Sequence, residues 1–277
     1  QAEDGIRDSV ASRGLGDVYK RQLLVCKNIS KYFGALAAVK NLSLEVYPGE
    51  ILGISGPNGA GKTTFFEVIS GMDHADKGQI IFNQEEITSK APHKICKDGL
   101  SRVFQSNACF NSLTVSENVS IGAIYGTSSG PFIPLRLRTK TLNYIEEILE
   151  EVGLQSKGNE IAENLSVFDR KRLMFASALS SNPKLLLLDE PVGGLNPQEI
   201  KSMISLVSKI SKRGITIILI EHVMRFMVQL ATKVMIMHHG EEIFIGSPKD
   251  LPKDKKVAEV YLGESSAKGL AKFFENQ

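Results

Sequence analysis

From residue 23 onward the chain alternates short apolar runs with amphipathic stretches. The runs Ile51-Leu52-Gly53-Ile54, Leu185-Leu186-Leu187-Leu188 and Ile215-Thr216-Ile217-Ile218-Leu219-Ile220 show no polar alternation, the pattern of strands buried on both faces. Strands are expected over 23–26, 42–46, 51–55, 79–82, 100–104, 184–188, 216–220, 234–237 and 242–245. Helices are expected over 62–70, 115–121, 142–152, 169–180, 197–212 and 222–230. The alternation of the two predicts an α/β core. Between about 106 and 182 the pattern is mostly helical and interrupts the strands, so this stretch reads as an inserted α-helical subdomain. Within it, 126–138 is rich in Gly, Ser, Pro and basic residues and reads as a mobile loop. No internal repeat is visible.

The two ends fall outside the pattern. Residues 1–22 start at Gln1 rather than at an initiator methionine, mix acids with bases, and hold no sustained period. Their wording resembles translated sequencing-adapter read-through, so they are expected to stand apart from the fold; the alternative is a genuine flexible arm. In the tail over 264–277, Leu270, Phe273 and Phe274 lie at helical spacing. That allows a short docked amphipathic helix, against the simpler reading of a frayed end. The domain itself is expected over 23–263.

Composition narrows the class. The chain has 277 residues, 42% hydrophobic and 23% charged, which suits a globular protein with a sizeable core. A net charge of +2 gives no reason to expect nucleic acid. Cys26, Cys96 and Cys109 are odd in number and lack metal-ligand spacing, which fits a reducing cytosol. No apolar run is long enough to span a bilayer, and no secretory leader is evident.

The chemistry begins after the 51–55 strand, at Gly56-Pro57-Asn58-Gly59-Ala60-Gly61-Lys62-Thr63-Thr64. Gly56, Gly59 and Gly61 let the backbone curl so that successive N–H groups face phosphate oxygens, and the helix that follows adds its positive end. Lys62 reaches the β- and γ-phosphates as a point charge, and the Thr63 hydroxyl can ligate Mg²⁺. A glycine-rich turn before a helix occurs by chance, but the preceding strand and following amphipathic helix make chance the minority reading. The apolar run at 185–188 ends in Asp189 and Glu190. Alone these are solvated acids closing a strand. Beside a phosphate cradle they are the Walker B pair, with Asp189 facing Mg²⁺ and Glu190 placed to take a proton from an attacking water.

Further landmarks follow in order: Phe104-Gln105, Leu165-Ser166, Gly193-Gly194-Leu195-Asn196 and Glu221-His222. Taken singly, each has a bland reading as a core aromatic, a capped helix or a turn. Together they resemble the ATP-binding-cassette (ABC) ATPases, over nearly all of 23–263. The resemblance implies a P-loop NTPase (RecA-like) α/β core with an antiparallel β subdomain and the helical insertion, and ATP and Mg²⁺ as cofactors. It implies that Phe33 stacks on adenine with Val39 beneath it. It implies further that residues 56–64 and Gln105 bind nucleotide and that Thr63, Gln105 and Asp189 hold Mg²⁺. By the same resemblance Lys62, Glu190 and His222 would do the catalytic work, His222 as the switch that holds the γ-phosphate. Gly193 to Asn196 stand as the D-loop, with Asn196 where Asp is usual.

The block from Phe110 to Val119, the run from Asp189 to Glu199 and the ending Val260-Tyr261-Leu262-Gly263-Glu264 resemble ATPase subunits of branched-chain amino acid importers, and less closely those of urea or lipopolysaccharide transporters. The resemblance implies a peripheral subunit on the cytoplasmic face of the inner membrane. Its partners would be transmembrane permease subunits, a second ABC ATPase and, indirectly, a periplasmic binding protein. One departure stands out. The signature segment, usually Leu-Ser-Gly-Gly-Gln, is Leu165-Ser166-Val167-Phe168-Asp169 here. In the family this helix start presses on ATP held by the opposite subunit. Phe168 adds bulk there and Asp169 a repelling charge, which Arg170, Lys171 and Arg172 partly offset. The expectation is an impaired site in trans, favouring a heterodimer over a homodimer. A soluble ABC protein of DNA repair or the ribosome is the alternative of another class, but the chain has neither a long coiled-coil insertion nor a second cassette. A P-loop kinase would need an acceptor domain.

Overall fold

The structure, a computed structural model, describes residues 22–106, 108–126 and 139–262. The arm before residue 22, the loop over 127–138 and the tail over 264–277 lie outside the described residues.

Strands β1 (Leu24–Phe33), β2 (Leu36–Val46), β4 (Lys77–Phe82) and β5 (Glu85–Glu86) form an antiparallel sheet in the order β2-β1-β4-β5. Strands β3 (Ile51–Ser55), β6 (Leu100–Val103), β7 (Leu185–Asp189), β8 (Thr216–Ile220), β9 (Lys233–His238) and β10 (Glu241–Gly246) form a second sheet in the order β10-β9-β3-β8-β7-β6. Its strands run parallel except for β10, which pairs antiparallel to β9 at one edge. Every residue of β3, β7 and β8 is buried, the terminal Ser55, Asp189 and Thr216 along with the apolar runs.

Helix α1 (Lys62–Ile69) fills the space between the sheets, with Phe65 and Phe66 fully buried among Leu24, Ile29, Leu42 and Phe82. Each such phenylalanine contributes about 1.5–3 kcal/mol of apolar burial. Helix α2 (Pro92–Lys97) leads into β6. The insertion comprises α3 (Val115–Tyr125), α4 (Thr139–Val152) and α5 (Val167–Leu179), which pack against one another. Helix α6 (Pro197–Lys212) and α7 (Met224–Leu230) cover the far face of the parallel sheet through Met203, Val207 and Phe226. A 3-10 segment (Pro248–Lys253), the short α8 (Lys255–Val257) and a π turn (Ala258–Leu262) close the described chain.

Several elements differ from the sequence expectation, each for a local reason. β1 runs on to Phe33 instead of stopping at 26. A bulge opposite β2 between Cys26 and Ile29, with Asn28 at φ 51°, breaks the alternation that would have revealed it. Helix α5 starts at Val167 because Ser166 caps it, its side chain accepting from the Asp169 amide. Helix α7 starts at Met224 because the amides of His222 and Val223 donate to the Glu221 carboxylate instead of opening a helix. α2 has one buried residue, Ile95, too few to give a period.

Register decides what meets at the top of the parallel sheet. Ile54 pairs with Ile220, and Asp189 pairs with the same Ile220. Strands β3, β7 and β8 therefore end level. The loops that follow them, Gly56 to Gly61, Glu190 and Glu221-His222, emerge at one carboxyl edge, where open α/β sheets hold ligands.

Candidate functional site

The phosphate cradle is built against its surroundings as well as by its own turn. Gly56 has φ 148°, and a Cβ there would lie 2.1 Å from the Met237 carbonyl oxygen. Gly61 has φ 96°, and a Cβ there would lie 2.0 Å from the Ala38 carbonyl oxygen. Only glycine fits either position. Ala60 is buried, Pro57 half-buried, and Asn58, Gly59 and Thr63 are exposed at the rim, with Thr64 between. Lys62 Nζ donates to the carbonyl oxygens of Gly56 and Pro57, 2.9 Å from each, so its charge sits across the mouth of the loop. Burial pushes the Lys62 ammonium below its usual range, while Glu190 and Asp189 pull it back up.

The first sheet delivers the aromatic. Phe33 ends β1 with half its surface exposed (50%), and Lys31 Nζ lies 5.3 Å from its ring centroid. Its hairpin is tied to the cradle: Lys40 N–H donates to the Gly240 carbonyl and Gly240 N–H to the Ala60 carbonyl. An open aromatic face beside the cradle suits a purine. Val39 is fully buried in the core, so it props the hairpin from behind and has no surface to offer a ligand.

Three polar side chains converge at the carboxyl edge. Gln105 Nε2 donates to Glu190 Oε2 at 2.7 Å, and His222 Nε2 lies 3.1 Å from Glu190 Oε1. Glu190 takes φ 46°, a left-handed conformation costing about 1–2 kcal/mol for a residue with a Cβ. That turn swings its carboxylate out of β7 toward Gln105 and His222. Lys171 Nζ donates to the Glu190 carbonyl at 3.3 Å, and burial lowers its ammonium, with Glu221 and Glu190 opposing.

Asp189 stays inside. Its Oδ2 accepts from Arg102 at 2.6 Å, in a pair whose side chains are 7% and 2% exposed. Its Oδ1 is buried with no hydrogen-bond partner. The Arg102 guanidinium carbon is 5.7 Å from the Phe66 ring centroid and 4.9 Å from that of Phe104. An orphaned buried carboxylate oxygen next to a phosphate cradle fits a hard cation. Among the described residues no cluster of three His, Cys, Asp or Glu could hold a metal alone. That matches Mg²⁺, which takes one or two carboxylates plus phosphate oxygens and water.

Sequence reasoning used Glu221 only as a landmark and missed Arg102. Glu221 is buried, and its carboxylate accepts the amides of Val192, His222 and Val223 at 3.0–3.1 Å. Burial pushes its carboxyl up, against the pull of those three amides. It shapes the turn that aims His222. The only sequence signal was an acid closing an all-apolar strand.

The signature segment departs from expectation in detail. Phe168 does not project; it is half-buried against the core, with the Arg172 guanidinium carbon 4.9 Å from its ring centroid. Asp169 is buried, its Oδ2 2.9 Å from Lys157 Nζ and its Oδ1 3.2 Å from an Arg172 nitrogen. Burial alone would raise its carboxyl; Lys157, Ser166 and Arg172 outweigh burial and hold it below the usual carboxylate range. Val167 is the bulk that stands at the helix start, 60% exposed. The Ser166 hydroxyl donates to Asp169 Oδ2 at 3.0 Å and accepts the Asp169 amide at 3.1 Å. Downstream, Asn196 caps α6, its side chain accepting the amides of Gln198 and Glu199 at 3.0 Å. Gly193, Gly194 and Leu195 lead into it from β7.

Comparison with known proteins identifies the family. The family model for ABC transporters matches residues 39–193. The chain is 33% identical over 251 residues to the high-affinity branched-chain amino acid transport ATP-binding protein LivG of Escherichia coli, a match covering 88% of this chain and 98% of that protein. It is 30% identical over 243 residues to the lipopolysaccharide export system ATP-binding protein LptB of Acidithiobacillus ferridurans, covering 88% and 98%. A crystal structure of the ADP conformation of an ATP-binding cassette of an ABC transporter superposes with a TM-score of 0.79 at 32% identity, covering 88% of this chain and 99% of that one.

Proposed function

Given that the chain belongs to the ABC transporter family and is a transporter ATPase, we propose that it drives an importer of branched-chain amino acids. The observation that carries the substrate class is the likeness to LivG over nearly the full length of both chains. It would sit on the cytoplasmic face of the inner membrane. Among the described residues no helix is long and apolar enough to cross a membrane, so the solute path would belong to permease subunits and its delivery to a periplasmic binding protein.

The residues divide the work. Phe33 receives the adenine and the amides of Asn58, Gly59 and Gly61 the phosphates, with Lys62 at their outer end. Thr63, Gln105 and Asp189 would hold Mg²⁺, which when bound would supply positive charge to offset that of the phosphates. Glu190 orients a water and accepts its proton; Gln105 and His222 fix both carboxylate oxygens of Glu190 until substrate arrives. A mostly apolar cleft of about 380 Å³ between β6 and the insertion, lined by Phe104, Ile121, Tyr125 and Met174, supports docking of the permease beside Gln105.

The second cassette is best a different chain. In this family the signature Ser faces the ATP of the opposite subunit. Here Ser166 gives its only hydroxyl proton to Asp169, and Val167 stands where glycine would permit close approach. The site built on this chain's Lys62 and Glu190 would be the working one, completed by a partner with an intact signature.

Likeness to LptB carries a second reading, export of lipopolysaccharide. Uptake of labelled leucine into, and extraction of labelled lipopolysaccharide from, vesicles bearing the chain with its neighbouring permease subunits tests both. ATP-dependent leucine uptake is expected. ATPase activity that leucine-loaded binding protein does not stimulate would contradict the import reading.

A further inference from the structure

The closing turn of the described chain reaches back into the root of the phosphate cradle. Ser55, the last residue of β3, is fully buried, and its Oγ lies 2.6 Å from the Glu221 carbonyl oxygen. A carbonyl can only accept, so Ser55 spends its single hydroxyl proton there. Tyr261 Oη lies 2.6 Å from the same Oγ. With the serine proton committed, Tyr261 must be the donor of that bond. The Tyr261 oxygen also lies 4.0 Å from Met224 Sδ, at the start of α7.

The result is a directed relay: Tyr261 O–H, Ser55 O–H, Glu221 C=O. It joins the closing turn and the residue just before the cradle to the residue before His222. The strands themselves offer little there. The last bond between β3 and the chain leaving β8 is Glu221 N–H to the Ile54 carbonyl, at 3.3 Å. Beyond it the two loops diverge, and the relay spans the gap.

We propose that Tyr261 is a positioning residue that couples the phosphate cradle to the His222 turn. Seating of the segment from Pro248 to Leu262 fixes the distance between the phosphates and His222. Unseating it lets the two loops move apart while each stays folded. The segment touches the core through Leu251 and Val257, both fully buried, so it can hold position without the hydroxyl.

The test compares Tyr261→Phe, Ser55→Ala and the double variant in the assembled permease complex, and by hydrogen exchange on the chain alone. The proposal rests on the ATPase reading, and wild-type turnover in the same assay checks that reading separately. Each single variant should lower turnover about 5- to 30-fold, the fold-change of one hydrogen bond to a buried group, with KM for ATP little changed. The double variant should be no worse than the worse single one. Exchange should rise at both 55–56 and 221–224 in each. Leu251→Ala is the packing control, lowering the melting temperature more than Tyr261→Phe does. Losses that multiply in the double variant, exchange confined to one loop, or a Tyr261→Phe enzyme within twofold of wild type would each overturn the coupling.

Discussion

Arg102 holds Asp189 by one carboxylate oxygen, at 2.6 Å, and leaves the other buried and unpaired. Removing one partner of such a pair strands a buried charge. Arg102→Met should therefore lower the stability of the nucleotide-free chain by about 3–5 kcal/mol. A Mg²⁺ bound at Asp189 would supply the missing positive charge. Magnesium with ADP should raise the melting temperature of Arg102→Met more than that of wild type, and ADP with EDTA should not. Equal shifts in both proteins would take Asp189 out of the metal site.

The carboxylate of Glu190 is gripped by Gln105 and faced by His222. Glu190→Gln should keep nucleotide affinity and slow turnover by about 10²- to 10⁴-fold, the worth of a positioned general base. Lys62→Ala should act on the opposite quantity, weakening nucleotide binding. Hydrolysis by Glu190→Gln at the wild-type rate would remove Glu190 from that role.

Asp169 sets a pH dependence. Its carboxyl is held below the usual range because Lys157, Ser166 and Arg172 favour the charged form over the cost of burial. A depressed carboxyl contributes stability that is present above its unfolded pKa and is lost as pH falls through the folded one. Asp169→Asn should melt below wild type at pH 7, and the gap should close as pH falls below about 4. A gap independent of pH would mean the side chain acts by capping or packing alone.

Much of this site was legible from spacing. The cradle, the Asp189-Glu190 pair and His222 are each fixed by a buried apolar strand that ends at a defined residue, and the strand over 216–220 falls where the pattern put it. What stayed hidden depends on partners far apart in sequence. Arg102 reads as an ordinary strand arginine until β6 and β7 are paired, which brings it to Asp189. Lys157 and Asp169 are twelve residues apart with a 3-10 turn between them, so no helical period links them. The signature segment shows the same limit. Composition identified a bulky residue and a charge, but only packing shows that Phe168 folds inward and Val167 faces out.

That difference redirects the engineering of the segment. Phe168→Gly removes packing from a half-buried ring and should cost stability, by less than the ~3–5 kcal/mol of a fully buried aromatic. Val167→Gly with Asp169→Gln clears the helix start and frees the Ser166 hydroxyl. This pair should raise turnover of the chain purified alone, where every site contains its own signature. No gain over wild type would make the altered segment a tolerated variant.

The proposed working site combines this chain's Lys62 and Glu190 with a signature lent by a different cassette. The direct measurement is ATP turnover of the reconstituted two-cassette complex carrying the base substitution in one chain at a time. Glu190→Gln in this chain is predicted to abolish transport-stimulated turnover, while the equivalent Glu→Gln change in the partner leaves most of it. Equal losses from the two substitutions, or a larger loss from the partner's, would contradict it.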